Sequence, residues 1–232
     1  MMKKIPVLAI AVLIHFNCLN AQNNDVITVR AGSRIIDNFP FGVRYLYPEF
    51  TTGRVVFNNG IYSERLLNYN FLPGEVEFIQ SKDTLSILNK KDIKYVSIAQ
   101  DTFFYDRGYI RLLTGGIVMS GEKQYFNLTE VKSTDSYGTS TSGGASTSYN
   151  SLPADGNFYK LNANKDMVFR KTTEFYLGDP SGGFILFRKK NVLQRFPEKA
   201  DEIKRFIKSN KTNFNSREDF LKMAEFLGNI KQ

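Results

Sequence analysis

From residue 53 to residue 131 apolar and polar side chains alternate with a period of two. Asn, Asp, Gly, Pro or Ser interrupt that alternation about every ten residues. A strand sends successive side chains to opposite faces, so this rhythm predicts short antiparallel strands joined by tight turns. The predicted strands are 54–57, 61–69, 75–79, 84–88, 93–98, 102–105, 109–113, 116–119 and 124–131. Asn59-Gly60 supplies the positive φ angles of a tight hairpin between the first two, and Pro73-Gly74 makes the next turn. Within 75–79 the alternation sends Val76 and Phe78 inward and Glu75 and Glu77 outward.

Upstream, residues 26–30 form one further strand. The aromatic stretch 39–48, flanked by Pro40 and Pro48, predicts an edge strand or a packed loop; if extended, it sets Val43, Tyr45 and Tyr47 on one face. Downstream, 14 of the 19 residues in 133–151 are Ser, Thr or Gly. Such a tract cannot bury enough apolar surface to offset its ordering entropy, so a disordered loop is expected. Strands resume at 158–161, 167–170, 174–177 and 184–187, the last fully apolar.

After residue 187 the period becomes helical. A short turn of helix is predicted at 191–196. Pro197 then suits a first helical position, and Ala200, Ile203, Phe206 and Ile207 recur at three- and four-residue steps. In the final helix Asn215 or Ser216 caps the start, with Glu218 or Asp219 three residues further in as a capping box requires. Phe220, Met223, Ala224 and Leu227 form its apolar stripe, and Gly228 is its expected stop. The fold class is therefore mainly β (α+β). An antiparallel meander, as a sandwich or an open barrel, occupies residues 23–187, and a helical hairpin over 188–232 packs on it. A membrane barrel fits less well, because charges occupy outward strand positions and the chain ends in helices of soluble type.

Residues 1–22 run from basic (Lys3, Lys4) through an apolar stretch at 5–16 to a polar end, the order of a secretory signal peptide. The apolar stretch is shorter than the ~18 residues a membrane-spanning helix needs. Leu19 and Ala21 take the −3 and −1 positions if cleavage follows Ala21, and cleavage after Gln22 is the near equivalent. A lipoprotein cysteine at Cys18 is the alternative, disfavoured by the Phe16-Asn17 before it; a buried core helix is the other. The expected location is exported, in the periplasm or at the outer membrane.

Removing this segment changes the available chemistry. Cys18 and His15 are the only cysteine and histidine in the chain. Disulfides, Cys–His and Ser–His–Asp nucleophiles and Cys/His zinc sites all go with them. Taking away Lys3 and Lys4 leaves 29 of the 31 basic residues against 23 acidic ones, a balance of +6. In an exported protein that charge suits envelope lipid, polysaccharide or another envelope protein as partner rather than nucleic acid.

Glu75 and Glu77, about 7 Å apart along one strand face, are the only catalytic candidates, as a general acid–base pair for sugar hydrolysis. Alternating charge on a solvated strand looks the same. Gly115-Gly116 and Gly182-Gly183 lack the following helix and Lys-Ser/Thr pair of a phosphate loop. No Asp-rich loop of calcium-binding spacing occurs around Asp101, Asp106 or Asp179. No cofactor and no metal are therefore expected. The residues 188–211 carry nine cations against Glu198, Asp201 and Glu202. Of these, Arg188, Lys189, Lys190, Lys204 and Lys208 are the candidates for contact with an anionic surface. An ordinary solvated helix surface is the alternative.

"LLNYNFLPGEVEFI" (66–79) with "ILNKKDIKYVSI" (87–98) resembles a pattern in uncharacterised secreted proteins of Bacteroidota. "VLQRFPEKADEIKRFIKSNKTNFNSREDFLKMAEFL" (192–227) is similar to the C-terminal helical segment of many of the same proteins, and the "NAQ" at 20–22 to that phylum's signal endings. The resemblance implies an envelope location and brings no activity, cofactor or catalytic residue. The expected function is a non-catalytic binding or scaffold module. The alternatives are a carboxylate-dependent glycan hydrolase and a protein contacting anionic lipid or lipopolysaccharide.

Overall fold

The computed structural model describes residues 25–134, 140–141, 160–181 and 183–230. The signal peptide expected at 1–22 lies outside them, as do residues 135–139 and 142–151 of the Ser/Thr/Gly tract. The chain opens with β1 (Val26–Val29) and a one-turn helix α1 (Phe41–Arg44). It continues through β2 (Thr51–Phe57), β3 (Tyr62–Asn70), β4 (Glu75–Gln80), β5 (Asp83–Ser86), β6 (Ile93–Ile98) and β7 (Asp101–Tyr105). Then come β8 (Tyr109–Thr114), β9 (Met119–Thr134), β10 (Ser140–Thr141), β11 (Asp166–Gly178) and β12 (Phe184–Leu186). Helices α2 (Lys189–Arg195), α3 (Ala200–Ser209) and α4 (Arg217–Ile230) end it.

All strands pair antiparallel in one open sheet, in the order β1-β11-β9-β8-β7-β6-β2-β3-β4-β5. β10 adds to β9, and β12 adds to β11. The sheet curls so far that the corner after β3 returns to β9, where the Phe126 N–H donates to the Phe71 carbonyl at 2.8 Å. The Tyr69 hydroxyl spans the same gap to the Gln124 carbonyl at 2.6 Å.

Several elements differ from the sequence expectation, each for a local reason. Residues 116–119 and 124–131 are not separate strands: β9 runs unbroken from Met119 to Thr134. Gly121 interrupts the apolar pattern because a Cβ there would lie 2.5 Å from Ile110 Cγ2, so the glycine serves close packing and not a turn. Likewise 167–170 and 174–177 fuse into β11, which pairs with β9 from Asp166 to Gly178. At Asn59-Gly60 only Gly60 takes a positive φ, 83°. Phe57 N–H bonds the Ile61 carbonyl at 2.9 Å, so the hairpin closes around three residues instead of two. The stretch 39–48 is the packed loop of the two alternatives, with α1 inside it and Val43 and Tyr45 buried. Of the strand predicted at 158–161, the described residues Lys160 and Leu161 lie outside any strand.

The inner face of the β9–β11 ribbon shows how the core is divided. Along it the cross-strand partners are Leu128 with Phe169, Phe126 with Lys171, Gln124 with Thr173, Glu122 with Phe175, and Ser120 with Leu177. The first end joins the main core, where Phe39 packs edge-on to Phe126 and Phe169. The other end takes the helices, with Phe175 stacked on Phe220 of α4 at 4.9 Å. Polar Gln124 and Thr173 and the charged Lys171 and Glu122 lie between the two apolar ends.

The C-terminal layer has three helices, so the predicted hairpin (α3 with α4) gains α2 as a companion. Phe206 stacks on Phe226 at 4.3 Å and holds α3 against α4. Ser216 Oγ accepts the Asp219 N–H at 3.3 Å, but Asp219 reaches back to the Asn213 N–H, leaving the capping box half made. Gly228 does not stop α4, which continues to Ile230. Among the described residues no helix is long and apolar enough to cross a membrane.

Candidate functional site

β3 carries two asparagines at alternate positions, Asn68 and Asn70, on the face opposite Leu67 and Tyr69. Both are buried. Asn68 Oδ1 accepts the N–H of Tyr47 and of Tyr69, and its amide donates to the carbonyls of Tyr47 and Glu49 at 3.0 and 3.1 Å. A side chain thus supplies the bonds that a strand would otherwise offer to the 45–49 loop. The backbone completes the clamp: Leu46 N–H bonds the Tyr69 carbonyl, and Phe71 N–H bonds the Arg44 carbonyl at 2.7 Å. The loop is therefore laid along β3 and reaches β4 at Glu77 through the Tyr45 hydroxyl.

The expected outward position of Glu75 is overturned: the residue is only 6 % exposed. Alternation along β4 holds, but the second face is covered by protein rather than water. Lys90 Nζ donates to Glu75 Oε1 at 2.6 Å and lies 5.7 Å from the Tyr105 ring centre. Burial pushes the Glu75 carboxyl above the ordinary carboxylate range, and Lys90 only partly opposes it. Glu75 Oε2 is buried without a hydrogen-bond partner among the described residues.

Glu77 is half-buried and doubly held. The Tyr45 hydroxyl donates to its Oε2 at 2.6 Å and the Asn70 amide to its Oε1 at 3.0 Å. Burial, then the Glu77 carboxylate, raises the Tyr45 phenol well above its usual range, so it stays a donor.

Next to this pair lies a cleft of about 980 Å³. Ile36, Phe57, Leu72, Phe78, Leu85, Ile87 and Leu88 give it apolar walls. Arg44, Lys90 and Lys160 bring cations, and Glu77 brings the one carboxylate lining it. The edge strand β5 and the residues after it form one side, and here the sheet ends. Leu88 is 89 % exposed and Leu85 41 %, large apolar side chains left uncovered at the cleft. The volume falls at the upper end of the roughly 300–1,000 Å³ usual for small-molecule sites.

Sugar hydrolysis needs one carboxylic acid to hand over a proton and a second carboxylate with a free oxygen for water or sugar. Both Glu77 oxygens are already hydrogen-bonded; Glu75 is ion-paired through one oxygen and buried at the other. Among the described residues no cluster of three or more His, Cys, Asp or Glu is grouped to hold a metal.

The basic candidates are all exposed, in two places. Arg188, Lys189 and Lys190 gather at the start of α2, and Lys204 and Lys208 lie one turn apart on α3. Lys204 pairs with Asp201 at 2.9 Å. Sequence reasoning missed the cleft, with its Arg44, Asn70 and Lys160, and missed the Asn68 clamp. Asn68 and Asn70 fall on the polar positions of the alternating segment 67–70, so the sequence carried no signal that marked them as buried. No family model, curated protein or solved structure matches this chain.

Proposed function

We propose that this chain is an exported, envelope-associated binding module that retains a ligand in the cleft beside β4 and β5 without converting it. The observation that carries this reading is the cleft itself: apolar walls, exposed leucines at its side, and carboxylates already engaged by neighbours. The location rests on the order of charge and hydropathy in residues 1–22 and on the resemblance to secreted proteins. A probe without charge isolates the apolar part of the claim. N-Phenyl-1-naphthylamine is expected to bind saturably with a fluorescence rise. Leu88→Asp, a change at an exposed position, is expected to weaken it about tenfold, which corresponds to about 1.4 kcal/mol of lost apolar contact. Absent or unsaturable binding, or an unchanged affinity in the variant, overturns the reading.

A second reading concerns the partner that anchors the module. Arg188, Lys189, Lys190, Lys204 and Lys208 are exposed, and of these only Lys204 forms an ion pair among the described residues. Such cations suit the anionic headgroups of envelope lipid or lipopolysaccharide. Charge reversal at Lys204 and Lys208 is expected to reduce co-sedimentation with phosphatidylglycerol-containing vesicles, increasingly so at low salt. Sedimentation indifferent to the reversal removes this reading.

A further inference from the structure

The charges lining the cleft do not cancel once their partners are assigned. Lys90 is spent on Glu75 at 2.6 Å, and Glu77 keeps its negative charge while the neutral donors Tyr45 and Asn70 occupy its oxygens. Arg44 and Lys160 remain, and among the described residues neither forms an ion pair. The Arg44 guanidinium is held in place by stacking over the Tyr45 ring at 4.9 Å. Its Nε is buried and has no hydrogen-bond partner among the described residues. A buried donor left unmade is unfavourable, and a planar guanidinium fork matches a carboxylate or phosphate edge. The apolar walls of the same cleft include Phe57, Leu72, Phe78, Ile87 and the exposed Leu88, surface that water covers at a free-energy cost.

We infer that the cleft takes a monomeric single-chain amphiphile with an anionic head: a long-chain carboxylate whose head meets Arg44, with Lys160 nearby, and whose tail lies along Phe57, Leu72, Phe78 and Leu88. The inference deepens the binding reading above and depends on it. Charge complementarity selects the head, because Arg44 and Lys160 outweigh the single carboxylate of Glu77, whose oxygens are already taken, and leave the cleft one positive charge in excess. The exposed leucines select the chain, because Leu85 and Leu88 line the cleft and leave apolar surface for a tail to cover.

Displacement of bound N-phenyl-1-naphthylamine by dodecanoate, dodecanol and dodecylammonium, each below its aggregation concentration, tests the head and the chain separately. Dodecanoate is expected to displace the probe at about a tenfold lower concentration than dodecanol, with dodecylammonium the weakest. Arg44→Gln is expected to erase the preference for the acid while dodecanol still displaces as in the parent chain, which also certifies that the variant's cleft is intact. Equal displacement by acid and alcohol in the parent chain overturns the inference and leaves the binding reading standing, as does an acid preference that survives Arg44→Gln together with Lys160→Gln. Failure of the neutral probe to bind at all takes down both.

Discussion

Replacing Arg111 with methionine is expected to destabilise the protein by about 3–5 kcal/mol, the range for stripping one partner from a buried ion pair. Glu122 is 1 % exposed, on the inner face of β9, and the Arg111 guanidinium is its close partner across the β8–β9 pairing. Arg217 of α4 approaches the other carboxylate oxygen at 3.4 Å but is half-exposed. Arg111 also faces Asp101 at 3.6 Å, and Asp101 accepts the Tyr47 hydroxyl at 2.6 Å. One guanidinium therefore ties together the loop after α1, β7, β8 and β9. Removing it leaves a carboxylate in an interior lined by Tyr69, Phe103 and Tyr109, where water cannot take over the charge. The pair itself is not a net source of stability on this argument, and that makes the test sharp. The double variant Arg111→Met with Glu122→Leu is expected to regain most of the loss, giving a large coupling energy in a urea-unfolding cycle. Additive losses would show that the two residues act separately and that the charge of Glu122 is not what Arg111 supports.

The meander was legible because each short strand carries its own evidence. Alternation marks the strand and Asn, Gly or Pro marks its end, so β2 to β8 follow from local pattern alone. What could not be read is anything set by a distant partner. β1 lies beside β11 and β6 beside β2, pairings that no local turn specifies. The Glu75 error has the same origin. Alternation says which residues share a face but not whether that face meets water: Lys90, from beyond β5, reaches Glu75, and the loop that Asn68 pins from more than twenty residues upstream reaches Glu77. The cleft is assembled from Ile36, Arg44, Phe57, β4, β5 and Lys160, each unremarkable in its own window. Asn68 and Asn70 sit where polar, solvent-facing positions belong in an alternating strand, so their burial is invisible until the loop is in place.

The helical layer offers the other large expected effect. Phe220 is fully buried, stacked on Phe175 of β11 at 4.9 Å and tilted against Phe187 at 5.0 Å. It is the residue through which α4 touches both the ribbon and the chain leading into α2. Phe220→Ala removes a ring from a site framed by other rings, which cannot collapse onto a methyl group, so a loss of about 3–5 kcal/mol is expected. The location of the loss matters more than its size. The polar and charged stretch at Gln124, Thr173 and Glu122 separates this cluster from the main core, and the cleft belongs to the other end of the sheet. Amide exchange is therefore expected to accelerate in α3 and α4 before it does in β3 and β4, with naphthylamine binding kept under conditions where the helices already exchange. Uniform acceleration through the whole chain, with binding lost at the same denaturant concentration, would mean that the two clusters unfold as one unit and that the polar stretch between them is no boundary.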